Sequence, residues 1–344
     1  MIPTAVGDAR SIRVLPEPAV RPDAGTASGC FPVTSSVLSS PAILAEVLPA
    51  YDVEATACRL LSRGMNDTYD VRTAGARYVI RAYRVGRTVP EVLYELDALL
   101  HLHARGIPVA PPVARRDGAL VATVTAPEGE RHLVLFPFIA GKPLTPDDVA
   151  AYGGLVARIH AASDDFASRH PRFELDLRHL VDEPLEAIRP HLDGRAEDWE
   201  YLAALARRLR ERLRDLPVER LDRGLCHGDI NWSNVHVGAD RAPAMLDFDC
   251  CGTGWRAYDV AIFRWLARTR DAEQTLWADF LRGYEAVRPL AEIELRATDV
   301  FVALRHLWAM GNNVLTGENR GIAHMNFGRA LSTLRRWDAD YLGP

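Results

Sequence analysis

The chain has 344 residues, 48% of them hydrophobic and 25% charged, which is ordinary globular composition with enough length for two lobes. Its formal net charge of −5 gives no global basic field, so a nucleic-acid partner is not expected. Five cysteines without a CxxC pair, and no run approaching ~20 apolar residues, argue against a disulfide framework, a zinc site and a membrane span.

The first residues show no charged segment followed by an apolar one, so no signal peptide is read there and a reduced cytoplasmic setting is expected. Residues 1–36 are rich in Pro, Ala, Gly and Ser without periodicity and are read as a flexible extension. Ser40 is the expected N-cap of the helix AILAEVLPAY, with Pro41 at its first position. CRLLSRGMNDTYDVRT and ARYVIRAYR are expected to be two strands joined by a turn at Gly75, and EVLYELDALLHLHARG an amphipathic helix ending at Gly106. ALVATVTA and RHLVLFPFI are two further strand candidates. Together they predict a small antiparallel sheet carrying one helix over residues 37–138. Over residues 139–344 the periodicity turns helical, in Asp147–Ala162, Asp198–Asp215, Ala257–Arg268, Asp271–Ala286, Ala291–Val314 and Asn326–Trp337. Few short strands followed by many helices predict an α+β fold in two lobes, the second larger and mostly helical.

The helical pattern breaks at 225–249. There CHGDINWSNV sets His227, Asp229 and Asn234 between apolar runs, and MLDFD follows with Asp247 and Asp249. VHV (235–237) and AMLDF (244–248) read as a hairpin around GADRAP, and the two-residue strand period would put Asp247 and Asp249 on one face. Asp229, Asn234, Asp247 and Asp249 would then converge at one end of the hairpin, where carboxylate and amide oxygens suit Mg²⁺ better than zinc. Each of these residues alone is equally well a polar turn residue; their joint spacing carries the functional reading.

HGDxxxxN followed thirteen residues later by Asp resembles the catalytic and metal-binding loops of the protein-kinase-like fold. The HGD form, DFD in place of DFG, and the following AYDVA resemble the aminoglycoside phosphotransferase and choline kinase superfamily. FDCCGTGWRAYDVAIFRW, FLRGYEAVRPL and RHLWAMG are most similar to its homoserine kinase-like and stress-response kinase-like branch, and the resemblance spans roughly residues 37–340. It implies a bilobal protein-kinase-like fold and an ATP- and Mg²⁺-dependent kinase that phosphorylates a hydroxyl of a small molecule. It also implies roles. Asp229 takes the proton of the acceptor hydroxyl or orients it, Asn234 and Asp247 bind the metal, His227 braces the loop and Asp259 anchors the loop backbone. Asp249 is either an extra ligand or a supporting group.

Gly64 and Asn66, in LSRGMNDTYDV, fall at the phosphate loop of that family, without a GxGxxG pattern. Arg81 stands where the family has its phosphate-binding lysine, and Glu95 where it has the paired helix carboxylate. The chain holds a single lysine, Lys142, so the substitution of arginine is in keeping with the rest of the sequence. Arginine keeps the charge and grips bidentately, but it is longer and planar, so the phosphate position must shift. LFPFIAG (135–141) resembles the hinge between lobes, with the carbonyl of Pro137 and the N–H of Ile139 facing adenine and Phe136 and Phe138 as core candidates.

Other readings compete. Arg81 motivates a nucleotide-binding pseudokinase that regulates a partner, and the stress-response branch motivates a protein Ser/Thr acceptor. GTGWRA follows a strand and opens a helix as a dinucleotide fingerprint does, but no acidic residue or βαβ unit accompanies it. Lys142 precedes a proline, which excludes a GxxxxGK[ST] loop. Arg305, His306 and Trp308 read first as a core stripe and second as lining of an acceptor site. A monomer or homodimer is expected, without membrane partners.

Overall fold

Ser39, one residue before the expected cap, accepts a hydrogen bond from the Ala42 N–H and starts α1 (Ser40–Ala42), with Pro41 in its first turn. The computed structural model describes residues 33–319 and 326–343. Most of the predicted 1–36 extension therefore lies outside the described residues. Within them, Ser36 is tied down: its N–H and hydroxyl donate to Glu128 at 3.0 and 3.1 Å, and its carbonyl accepts from Arg131.

The first sheet holds β1 (Ala57–Arg63), β2 (Asp67–Arg72), β3 (Arg77–Ala82), β4 (Ala122–Ala126) and β5 (Gly129–Pro137), in the order β1-β2-β3-β5-β4 and antiparallel throughout. CRLLSRGMNDTYDVRT is not one strand but two, folded where the Gly64 N–H donates to the Asn66 carbonyl at 3.0 Å. Alternation along the strands sends residues to two cores. Tyr69, Ile80, Leu133 and Leu135 meet Ile43 and Val47 on one face. Tyr83, Val134 and Phe136 turn to the other face, which is covered by α2 (Val89–Ala104) through Leu96 and Leu99. α2 is fixed at its start by a capping box between Thr88 and Glu91. Arg81 lies on the α2 side by the same alternation, which brings it to Glu95.

After β6 (Lys142–Pro143) come α3 (Val149–Ala162), β7 (Glu174–Leu175), α4 (Glu183–Ile188) and α5 (Ala196–Asp215). The chain then runs through β8 (Arg223–Cys226), β9 (Val235–Val237), β10 (Pro243–Met245), β11 (Gly252–Trp255), α6 (Arg256–Thr269), α7 (Glu273–Glu285), α8 (Glu292–Asn319) and α9 (Phe327–Trp337). Two small sheets, β10-β9-β6 and β7-β11-β8, flank the polar loop. α3 packs on α7 and α6 on α8. The α3–α7 seam is closed by glycine: a Cβ on Gly283 would lie 1.8 Å from the carbonyl oxygen of Ala150. Cys58, Cys226, Cys250 and Cys251 are free thiols. Among the described residues no helix is long and apolar enough to cross a membrane.

Candidate active site

β8 delivers the chain to the HGD loop, and Gly228 makes the turn possible. Its φ is +76°, and a Cβ there would sit 2.2 Å from the carbonyl oxygen of Cys250. Gly228→Ala is expected to destabilise the protein by more than the ~1–2 kcal/mol of the left-handed backbone alone, because backbone must also move. Thermal denaturation checks this, and an unchanged melting temperature would contradict it.

Asp259, from the first turn of α6, holds the loop backbone as the resemblance implied. Its carboxylate accepts from the N–H of His227 at 2.6 Å and of Gly228 at 2.8 Å. His160 on α3 braces it at 3.1 Å and is itself held by the Tyr284 hydroxyl at 2.8 Å. Burial alone would raise the Asp259 pKa; the hydrogen bond and charge of His160, with His227 and the Gly228 N–H, bring it below the ordinary carboxylate value.

His227 connects this loop to the DFD segment. Its Nδ1 accepts from the Asp229 N–H at 3.2 Å, which leaves Nε2 to carry the proton and donate to the Leu246 carbonyl at 2.8 Å. The ring also lies against Phe248, with centroids 4.5 Å apart.

Asp229 is oriented from three sides. One oxygen accepts from the side-chain amides of Asn231 and Asn234, each at 2.8 Å. The other accepts from Arg305 on α8 at 2.5 Å. Arg305 also donates to the Gly228 carbonyl at 3.0 Å, and its guanidinium lies 4.4 Å over the Trp308 ring. Burial disfavours that cation, but Asp229 and Tyr258 outweigh it and raise the Arg305 pKa. The amide nitrogen of Asn234 also donates to the Asp229 carbonyl at 3.0 Å, so its Oδ1, which accepts from the Ser233 hydroxyl at 3.4 Å, is the atom that can serve the cleft.

The hairpin strand stops at Met245, which corrects the expectation that Asp247 and Asp249 share a face. Asp247 takes a left-handed conformation (φ 61°, ψ 66°) and a 3₁₀ turn over Phe248–Cys250 follows. The strand period is lost between the two carboxylates. Asp247, 46% exposed, lines the cleft, whereas Asp249 is buried and its Oδ1 accepts from Arg87 at 2.8 Å. Burial opposes the Asp249 charge, but Arg87, Arg172 and Arg81 hold its pKa down at about 2. Asp249 thus ties the segment between β10 and β11 to Arg87, just before α2, and stands outside the lining of the cleft.

Arg81 donates to Glu95 at 2.7 Å, the expected pair, and also reaches Asp247 at 3.1 Å. The second oxygen of Glu95 accepts from the Tyr83 hydroxyl at 3.0 Å. Burial works against the Arg81 charge, and Asp247 and Glu95 overcome it, so its pKa lies well above the ordinary value.

Arg81, Glu95, Asn234 and Asp247 line a cavity of about 320 Å³ with Ser62, Thr68, Phe136, Pro137, Phe138 and Ile139. Gly64 and Asn66 stand outside its lining: Asn66 is buried, and its Oδ1 accepts from the Arg84 N–H at 3.0 Å. Ser62 and Thr68 take their place as a cross-strand pair of β1 and β2. Splitting the first strand at Gly64 would have exposed that pair to sequence reasoning. Arg305 is the other residue underrated from sequence; its partner is 76 positions away, so no local pattern shows it.

The donor set fits magnesium. Asn234 Oδ1 and the Asp247 carboxylate are hard oxygen donors on one wall. No group of three or more His, Cys, Asp or Glu is placed to hold a metal alone among the described residues. Magnesium bound through one or two protein oxygens, with water and substrate phosphates completing its shell, is the usual arrangement.

Residues 57–295 match the phosphotransferase enzyme family. An uncharacterized protein of Deinococcus radiodurans is 37% identical over 341 residues, covering 94% of this chain and 98% of its own. A homoserine kinase of Granulibacter bethesdensis is 30% identical over 270 residues, 75% of this chain and 80% of that protein. In space, a microcompartment-associated aminopropanol kinase superposes with a TM-score of 0.69 at 26% identity, over 87% of this chain and 95% of the other. The two lobes are therefore those of the protein-kinase-like fold, and the chain belongs to the phosphotransferase enzyme family, as a kinase with an alcohol group for its acceptor.

Proposed function

We propose that the protein moves the γ-phosphoryl of ATP to a hydroxyl of a small molecule, with Mg²⁺ as the metal. The observation that carries this is Asp229, a carboxylate oriented by Asn231, Asn234 and Arg305 and set on a loop continuous with the cleft wall. Asp229 receives the proton of the acceptor hydroxyl. Arg81 meets the phosphates, held in place by Glu95. Pro137 and Ile139 offer backbone groups to adenine at the hinge end of the cleft. Bound at Asn234 and Asp247, the metal would neutralise the triphosphate charge. Catalysis in this arrangement is positioning and charge neutralisation. A small acceptor is supported by the relatives named as homoserine kinase and aminopropanol kinase.

A screen of alcohols, amino alcohols, hydroxy acids, sugars and Ser/Thr peptides, read as ADP release and phosphorylated product, tests the proposal. Phosphorylation of peptides alone, or of nothing, would overturn it. Asp247→Ala is expected to remove the magnesium dependence of nucleotide binding. Calorimetric titration of Mg²⁺ with nucleotide checks this, and an unchanged metal affinity would take Asp247 out of the ligand set.

A further inference from the structure

Arg172 lies between α3 and β7, outside the lining of the cleft, yet it bonds to two of the segments that build it. Its Nε donates to the Cys251 carbonyl at 2.7 Å, its Nη1 to the Glu91 carbonyl at 3.0 Å and its Nη2 to the Asp249 carbonyl. Asp249 and Cys251 stand two and four residues after Asp247, and Glu91 stands one helical turn before Glu95 on α2. One guanidinium thus fastens the helix that carries the partner of Arg81 to the chain that follows Asp247.

The grip is on main chain, so it fixes the path of both segments and not the rotamer of one side chain. Arg172 is itself held. Its guanidinium lies 4.4 Å over the Phe173 ring, and the residues after it run beside β11, with Glu174 opposite Thr253 and Leu175 opposite Gly254. A Cβ on Gly252 would lie 2.8 Å from the Phe173 carbonyl oxygen, so glycine lets the two chains approach there. Two further links join the same parts: Arg87, just before α2, to Asp249 at 2.8 Å, and Tyr94 on α2 to Thr253, their hydroxyls 3.2 Å apart. Neither involves Arg172, so the fold is expected to outlast its removal. Burial raises the Glu95 pKa, and the charges of Arg81 and Arg172 oppose that rise.

We propose that Arg172 is a positioning residue for phosphoryl transfer: it fastens α2 to the segment 249–251 and so holds Glu95 where it aims Arg81 at the phosphates. The inference rests on the kinase reading above and adds to it a residue outside the cleft. A reaction driven by positioning is sensitive to small displacements; misplacement by about 1 Å costs roughly 10²-fold. Arg172 acts through Glu95 and Arg81, so its effect exists only while Arg81 is present.

The test is a double-mutant cycle on the full chain, read as affinity for the magnesium complex of a non-hydrolysable ATP analogue. Its corners are wild type, Arg172→Ala, Arg81→Ala and the double variant. Arg172→Ala alone is expected to weaken binding about 3- to 30-fold, within the range for coupled members of one hydrogen-bond or ion-pair network. In the Arg81→Ala background the same change should alter affinity by less than about twofold, near the ordinary scatter of surface substitutions. A merely structural role would weaken both backgrounds alike. Arg172→Lys should stay close to Arg172→Ala, because one ammonium cannot span three carbonyls on two segments. The lysine variant also carries the cycle should the alanine variant not fold. Unchanged affinity in Arg172→Ala, equal losses with and without Arg81, or full recovery with lysine each overturns the proposal and leaves the kinase reading standing. A wild type that does not bind the analogue overturns both.

Discussion

Asp229→Asn is expected to cut turnover by about 10²–10⁴-fold while nucleotide affinity stays close to that of wild type. The carboxylate is bonded within its own loop and to Arg305, and it does not line the cleft that would take the nucleotide. The substitution keeps one acceptor oxygen but turns the other into a donor, which must face either Arg305 or the amides of Asn231 and Asn234. It also strips Arg305, itself buried, of its counter-charge, so stability should fall by about 1.5–3 kcal/mol, the usual worth of a hydrogen bond to a charged group. Single-turnover kinetics, nucleotide binding and denaturant unfolding separate the three effects. Turnover within tenfold of wild type would remove Asp229 from the proton-accepting role.

Arg81→Ala should weaken ATP binding and lower turnover together, each by one to two decades, since it removes charge-assisted contacts worth about 1.5–3 kcal/mol apiece. It should also destabilise the fold. The Glu95 side chain is 1% exposed and would keep only the Tyr83 hydroxyl as partner. Removing one member of a buried ion pair costs about 3–5 kcal/mol. Arg81→Lys should restore part of both losses, because an ammonium supplies the charge but cannot span Glu95 and Asp247 as the planar guanidinium does. Parallel measurements of Kd, kcat and unfolding free energy for the three proteins check this. If both variants match wild type, Arg81 is not the phosphate ligand.

Much of this site was legible in the sequence because its logic is local. His227, Asp229 and Asn234 occupy one loop, and the alternation of β3 is enough to aim Arg81 at α2 and Glu95. Where the sequence reading failed, a backbone irregularity or a long-range partner intervened. A strand running through both would set Asp249 and Asp247 on one face. The left-handed Asp247 ends that period, and Arg87 at 162 residues' separation claims Asp249. The contact of Asn66 Oδ1 with the Arg84 N–H, 18 positions along the chain, is of the same long-range kind. The segment Arg178–Ile188 is helical without a helical signature in the sequence; its π turn over Arg178–Asp182 and Pro184 near the start of α4 give it no clean 3.6-residue stripe.

The segment 247–251 is attached to the N-terminal lobe by two ion pairs of different physical kind. Arg87–Asp249 is 4% and 1% exposed, while in Arg81–Asp247 the carboxylate is 46% exposed. Mobile ions screen solvent-facing pairs over a Debye length of about 8 Å at physiological ionic strength and leave buried pairs largely untouched. Because Arg81 is itself only 14% exposed, rising salt weakens the contact at Asp247 only in part, and the contact at Asp249 still less. The joint has one stiff point of attachment and one whose strength electrolyte can tune.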